Sequence, residues 1–373
     1  MRKLIVLLCT TIIILTAVVL IMLPQPVLQA QDNEEDPMWM EIEGVTYGAR
    51  PDARGPIGGG AGYMDIITAG DHVARTLEEL TEALAQAQAG EVVFIPGETE
   101  IDLTSMIYIH GFVLEVPAGV TLAGNRGEDG SAGAILTSDA LKTPKMIRTT
   151  GPGVRVTGLR IRGPNPKRYL DHHNRSLGPG GKGRGYYYRF PTSCGIWSDY
   201  DTLRVDNCEV SAFGHGGIQL SGDSAGHQVH HNFIHHCQYQ GLGYGVVINR
   251  ATVLIEYNLF DWNRHSIAGT GRPGEAYVAR HNVELGTSLS HCFDMHGGRD
   301  RRDGTDIAGT RIEIYNNTFR APQTPVVIRG VPEDRCEVFH NWFPRHETPD
   351  AAVRAGTRTH VFDNAYGDPP TVR

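Results

Sequence analysis

From about residue 195 onward, short apolar phrases alternate with polar ones at a period near 24 residues. One phrase recurs as GIWSDY (195–200), GIQLSG (217–222), GVVINR (245–250), SIAGTG (266–271), CFDMHG (292–297), PVVIRG (325–330) and AVRAG (352–356). Its alternate positions form apolar columns: Ile196/Ser198, Ile218/Leu220, Val246/Ile248, Ile267/Gly269, Phe293/Met295, Val326/Ile328 and Val353/Ala355. Strand side chains alternate between faces, so these columns predict an inward face and leave the residues between them outside. A second phrase closes on Asn207, Asn232, Asn258, Asn282, Asn317, Asn341 and Asn364, at spacings of 25, 26, 24, 35, 24 and 23. Asparagine tolerates the left-handed region and suits a tight turn, and stacked asparagines can hydrogen-bond along a ladder. Short strands with aligned core columns at this period predict a single-stranded right-handed parallel β-helix, an all-β solenoid.

The N-terminal part fits the same architecture. ARTLEELTEALAQAQAG (74–90) predicts an amphipathic helix over about 76–89, ending at Gly90, with Thr76 as N-cap and Glu79 three residues on. It is placed to cap the first coil. GEVVFIPGETEIDL, VLEVPAGVTLAGN and VRVTGLRIRG supply the first turns. Two insertions interrupt the repeat, at 163–193 and 298–309. The expected organisation is an apolar segment 1–30, an extended segment 31–57 and a solenoid over 58–373.

Composition narrows the setting. Gly reaches 45 of 373 residues without a Gly-X-Y period, which excludes collagen and suits a turn-rich fold. Arg2 and Lys3 precede an uncharged run, Leu4–Leu23, read as a signal peptide, with an uncleaved membrane anchor as the alternative. Either reading exports the rest. Without that segment, 32 basic residues face 42 acidic ones, which argues against a nucleic-acid role. The five other cysteines, Cys194, Cys208, Cys237, Cys292 and Cys336, are odd in number and form no Cys-x-x-Cys pair, so they read as buried small hydrophobes.

Chemistry concentrates on the outward columns Trp197, Gln219, Val247, Ala268, Asp294, Val327, Arg354 and Asp199, Ser221, Asn249, Thr270, His296, Arg329, Gly356. Coil spacing of about 4.8 Å brings Arg264, His265, His291, Asp294, His296 and Arg329 into one patch. Arg329, assisted by Arg264, is assigned to hold a substrate carboxylate, and His296 or His265 to act as base. Asp294 orients an imidazole and His291 donates a proton. Asn249, Arg299 and Trp197 are candidate substrate contacts. So are Lys182, Arg184, Arg189 and Tyr187 of the basic, aromatic first insertion, whose composition suits an anionic sugar chain. No metal is assigned. A divalent cation on Asp294 and His296 with His265 or His291 is the lesser alternative. Calcium lacks the needed oxygens, because Asp294 is flanked by Ala268 and Val327.

The order GGGAGY, VARTLEELTEAL, EVVFIPG resembles the start of pectate-lyase-like β-helix proteins, a resemblance reaching from 58 to 364 at the level of fold. It implies a right-handed β-helix and says little about activity. The stacked aspartates of polygalacturonases and the calcium-binding aspartates of pectate lyases are not matched. HCFDMHG (291–297) resembles the aromatic-Gly-Phe-Asp-Pro-His segment of mannuronan C5-epimerases. That resemblance places Asp294 and His296 on the motif's Asp and His, with His291 where the family has Tyr and Met295 where it has Pro. The combined expectation is an exported, monomeric polysaccharide lyase acting on a uronate-containing glycan by β-elimination. A β-helix glycoside hydrolase, a C5-epimerase and a non-catalytic sugar-binding scaffold remain open.

Overall fold

The computed structural model describes residues 37–373 apart from Asn165 and Gln240, so the apolar segment 1–30 lies outside the described residues. Three long sheets build the chain from His72 onward. One has eleven strands from His72–Val73 to Thr359–Phe362, one has eleven from Glu100–Asp102 to Thr371–Val372, and one has nine from Leu114–Val116 to Val353–Arg354. Successive strands within each sheet come from successive coils and pair in parallel, save the final Thr371–Val372, which is antiparallel to Ala365–Tyr366. This is a parallel β-helix. Among the described residues no helix is long and apolar enough to cross a membrane.

The predicted columns match the pairing. Ile196, Ile218, Val246, Ile267, Phe293, Val326 and Val353 are successive partners and are buried. The second inward column stops at Ile328. Ala355 is exposed because the last strand ends at Arg354. All five cysteines in the described chain are buried and free.

The asparagine ladder differs from expectation by one residue. Asn232, Asn258, Asn282, Asn317, Asn341 and Asn364 are fully buried, and each Oδ1 from Asn258 onward accepts both the backbone N–H and the side-chain N–H of the preceding asparagine, at 2.9–3.0 Å. The left-handed bend falls on the residue before each, at His231, Tyr257, His281, Asn316, His340 and Asp363. Asn207 itself occupies a bend at φ 53°, and Cys208 takes the ladder position, donating its N–H to Asn232. The buried amide is thus used for satisfaction of backbone groups inside the turn.

The capping helix spans Leu77–Gln86, shorter than expected. Thr76 accepts the Glu79 N–H, and Leu80, Ala83 and Leu84 close the end of the core. The chain turns extended at Ala87, where Glu91 accepts the Gln88 N–H. Where an extended segment is expected over 31–57, Trp39–Ile42 and Val45–Gly48 form a hairpin. It packs Tyr47 on Trp342 and Ala365. The first insertion is not a loop. It holds helices Lys167–Leu177 and Arg184–Tyr187, because Tyr169, His172 and Ser176 line one helix face. Tyr169 packs with Tyr187 and Tyr239, while His172 stacks on Phe190 at 4.1 Å.

Candidate functional site

Asp294 sits at the outward centre of Phe293–Met295, between Ala268 and Val327 in the coils on either side. Those side chains are apolar and small or mid-sized. They leave space that charged neighbours fold over, so an outward position is fully buried. Arg329, one coil on, spans the carboxylate: Nε donates to Oδ1 at 2.9 Å and Nη2 to Oδ2 at 2.7 Å. His296 Nε2 stands 2.9 Å from Oδ2 but misses the angle of a formed hydrogen bond. Such contacts often tighten only when substrate is bound.

His265 and His291 stack at 3.8 Å between ring centres. His265 Nδ1 lies 2.6 Å from the His291 carbonyl oxygen, which fixes Nδ1 as the protonated nitrogen and leaves a lone pair on Nε2. His291 Nε2 is 3.1 Å from Arg329 Nη2 and 3.3 Å from Asp294 Oδ1. A guanidinium can only donate, and it is the nearer group, so we assign this Nε2 as an acceptor too. Burial holds both imidazoles below their usual range, with Asp294 opposing. Both are therefore neutral near pH 7. For Asp294, burial pushes the carboxyl up, but the surrounding positive field outweighs it and holds it well below the usual carboxylate range. The bidentate Arg329 pair acts in the same direction.

A cleft of about 470 Å³ opens over this cluster. The solenoid supplies Tyr244, Arg264, Ser290, His296 and Arg329, the first insertion supplies Arg184, Tyr187 and Tyr188, and the second supplies Asp300. Arg301 anchors the second insertion by donating to the Thr270 and Ile307 carbonyls, which sets Asp300 Oδ1 3.5 Å from Arg329 Nη1. Arg264 stacks over Tyr244 at 5.8 Å, and its buried Nη1 has no hydrogen-bond partner. Arg264 lines the cleft and so brings a guanidinium donor to its wall.

The structure brings together the six residues of the expected patch, at different depths. His296, Arg264 and Arg329 line the cleft, whereas Asp294, His265 and His291 stand behind its wall. Arg184 and Tyr187 reach the cleft, although Tyr187 is buried against Tyr239 at 4.8 Å and offers no open ring face. Lys182 and Arg189 are exposed away from the lining, Lys182 over the Tyr186 ring at 4.7 Å. Trp197 is four coils from Asp294 and is covered by Lys145 at 4.3 Å. Asn249 lies two coils away and accepts from Thr270. Arg299 lines a neighbouring cleft of about 500 Å³ that also contains Arg329 and Arg354. Tyr188, Tyr244 and Asp300 complete the cleft without having been singled out as site residues. Tyr244 had a legible signal, its register match to His265.

The fold and site together define a β-helix whose outer face carries a buried arginine–aspartate pair ringed by histidines. No family model matches the chain, and no curated protein matches it. Among solved structures it is similar to the Dettilon tailspike protein, at 12% identity and a TM-score of 0.45 over 78% of this chain and 57% of that one. The chain thus spans a little over half the length of that protein.

Proposed function

We propose that the cleft binds a uronate-containing polysaccharide and that the protein cleaves it by β-elimination. The observation that carries this reading is one cleft wall combining an imidazole, His296, with the guanidinium groups of Arg184, Arg264 and Arg329 around a buried, ionised Asp294. Removing the proton next to a uronate carboxylate builds negative charge on that carboxylate, and fixed guanidinium groups stabilise it without reorganising. Arg264 is the principal carboxylate ligand in this account, because Arg329 has two of its nitrogens committed to Asp294 and its Nη1 facing Asp300. With Nε2 of His296 facing Asp294, Nδ1 is left to take the proton. The electron pair passes into the carboxylate and then expels the glycosidic oxygen in the β position. That oxygen takes a proton from the Tyr188 hydroxyl, on a side chain 60% exposed. His291, ten per cent exposed and outside the cleft lining, is less well placed for that transfer than the sequence suggests.

Hydrolysis by two carboxylic acids fits less well. Among the described residues that line the cleft Asp300 is the single carboxylate, while Asp294 is buried and committed to Arg329. Epimerisation would share the first step and differ in where the proton returns. The test is incubation of the exported chain with a panel of acidic and neutral polysaccharides. New ultraviolet absorbance from a carbon–carbon double bond, on acidic polymers only, is the expected result. Reducing ends without absorbance would overturn elimination.

A further inference from the structure

Behind the cleft wall three ligand-type atoms converge. His265 Nε2, His291 Nε2 and a carboxylate oxygen of Asp294 lie within 4.8 Å of one another. Two imidazoles and a carboxylate form a donor set suited to first-row divalent ions. The His265 Nδ1–H bond to a backbone carbonyl is the kind of outer contact that orients a metal-ligating imidazole. Yet the centre of this set is filled. Arg329 Nη2 lies 2.7 Å from Asp294 Oδ2, 3.1 Å from His291 Nε2 and 3.5 Å from His265 Nε2. A second cation a few ångströms from that guanidinium would be strongly repelled in so buried a place.

We propose that His265, His291 and Asp294 form a cation cage in which the Arg329 guanidinium is the resident cation, and that removing this side chain converts the cage into a site for one zinc- or cobalt-class ion. The inference rests on atomic positions and holds whatever the cleft binds. Metal ligation would draw the three atoms in from hydrogen-bond distances to roughly 2.0–2.2 Å, leaving a coordination position open for water. In the natural chain the cage holds a charge that no chelator can remove.

The test is titration of Co²⁺ into the full chain and its Arg329→Ala and Arg329→Gln variants, read by the visible absorbance of bound Co²⁺ and by metal retained after gel filtration. Each variant is expected to keep one Co²⁺ per chain, bound about a hundredfold or more tighter than by the natural chain. Adding His265→Ala to either variant should abolish retention. The Gln variant keeps a donor toward Asp294, and circular dichroism reports folding. Variants that regain native structure only with Co²⁺ present would also support the cage. Folded variants that bind no Co²⁺, natural chain that binds it equally tightly, retention without His265, or variants that fail to fold even with Co²⁺ would each overturn it.

Discussion

Arg329 and Asp294, 35 residues apart in sequence, meet edge to edge through two hydrogen bonds of 2.9 and 2.7 Å on adjacent coils. The carboxylate is fully buried and the arginine side chain is 24% exposed. Breaking one half of such a pair strands a charge, whereas replacing both halves does not. Arg329→Ala should therefore destabilise the fold by roughly 3–5 kcal/mol in metal-free buffer. The Arg329→Ala, Asp294→Ala double variant should recover part of that loss. Denaturant midpoints measure both, and a single variant as stable as the natural chain would contradict the buried pairing.

Glu284 makes a second prediction, with the opposite sign of charge preference. It lies inside the solenoid, stacked between Phe260 and Phe319, with neither carboxyl oxygen hydrogen-bonded. Burial pushes its carboxyl up to about 8, and the nearby Ser266 hydroxyl offsets this only partly. A raised carboxyl means the folded chain holds a proton that the unfolded chain releases above its ordinary value of 4.5. Stability then falls as pH rises from about 4.5 to about 8. Glu284→Gln should match the natural chain at pH 4 and exceed it at pH 8, by on the order of 4 kcal/mol. Unfolding midpoints across that range decide it, and a difference independent of pH would refute the assignment.

The cationic rim should read out as salt-dependent binding. Arg184→Ala and Arg264→Ala should each weaken binding of a polyuronate several-fold, on the order of 1 kcal/mol, and flatten its dependence on salt. Lys182→Ala and Arg189→Ala, away from the cleft lining, should change little. Calorimetry at two salt concentrations tests the contrast. Equal effects from all four would mean a diffuse field and not a cleft.

His296 lines the cleft and is partly exposed, so its removal should leave the fold intact. His296→Ala should lower turnover by about a hundredfold or more, with a smaller change in binding, as for loss of a general base. Rates on a cleavable polymer, set beside affinities for an uncleaved one, separate the two effects. A turnover near that of the natural chain would remove His296 from the mechanism.

Much of the solenoid was legible because the repeat aligns core residues. Ile267, Phe293 and Val326 alternate with Ala268, Asp294 and Val327 in the register that the structure adopts. The same alternation gives facing but not depth, so it placed Asp294 outside without showing that Arg329 and the histidines bury it. The Asn207 offset was hidden because the bend residue and the ladder residue are adjacent, and either can be asparagine. The helix Lys167–Leu177 was obscured by the Gly- and Pro-rich flanks of its insertion. Its signal was the Tyr169, His172 and Ser176 spacing on one face. Tyr188 and Asp300 reach the cleft by tertiary folding of the two insertions, which strand periodicity does not encode.

Elimination in the cleft begins, in the proposed reaction, with removal of the proton beside a uronate carboxylate. The direct measurement is proton nuclear magnetic resonance of a polyuronate incubated with the protein in deuterium oxide. Loss of the signal from that carbon-bound proton is expected, with a vinyl signal growing at the new non-reducing ends, and neither change with the His296→Ala variant. New reducing ends with that proton retained and no vinyl signal would contradict it.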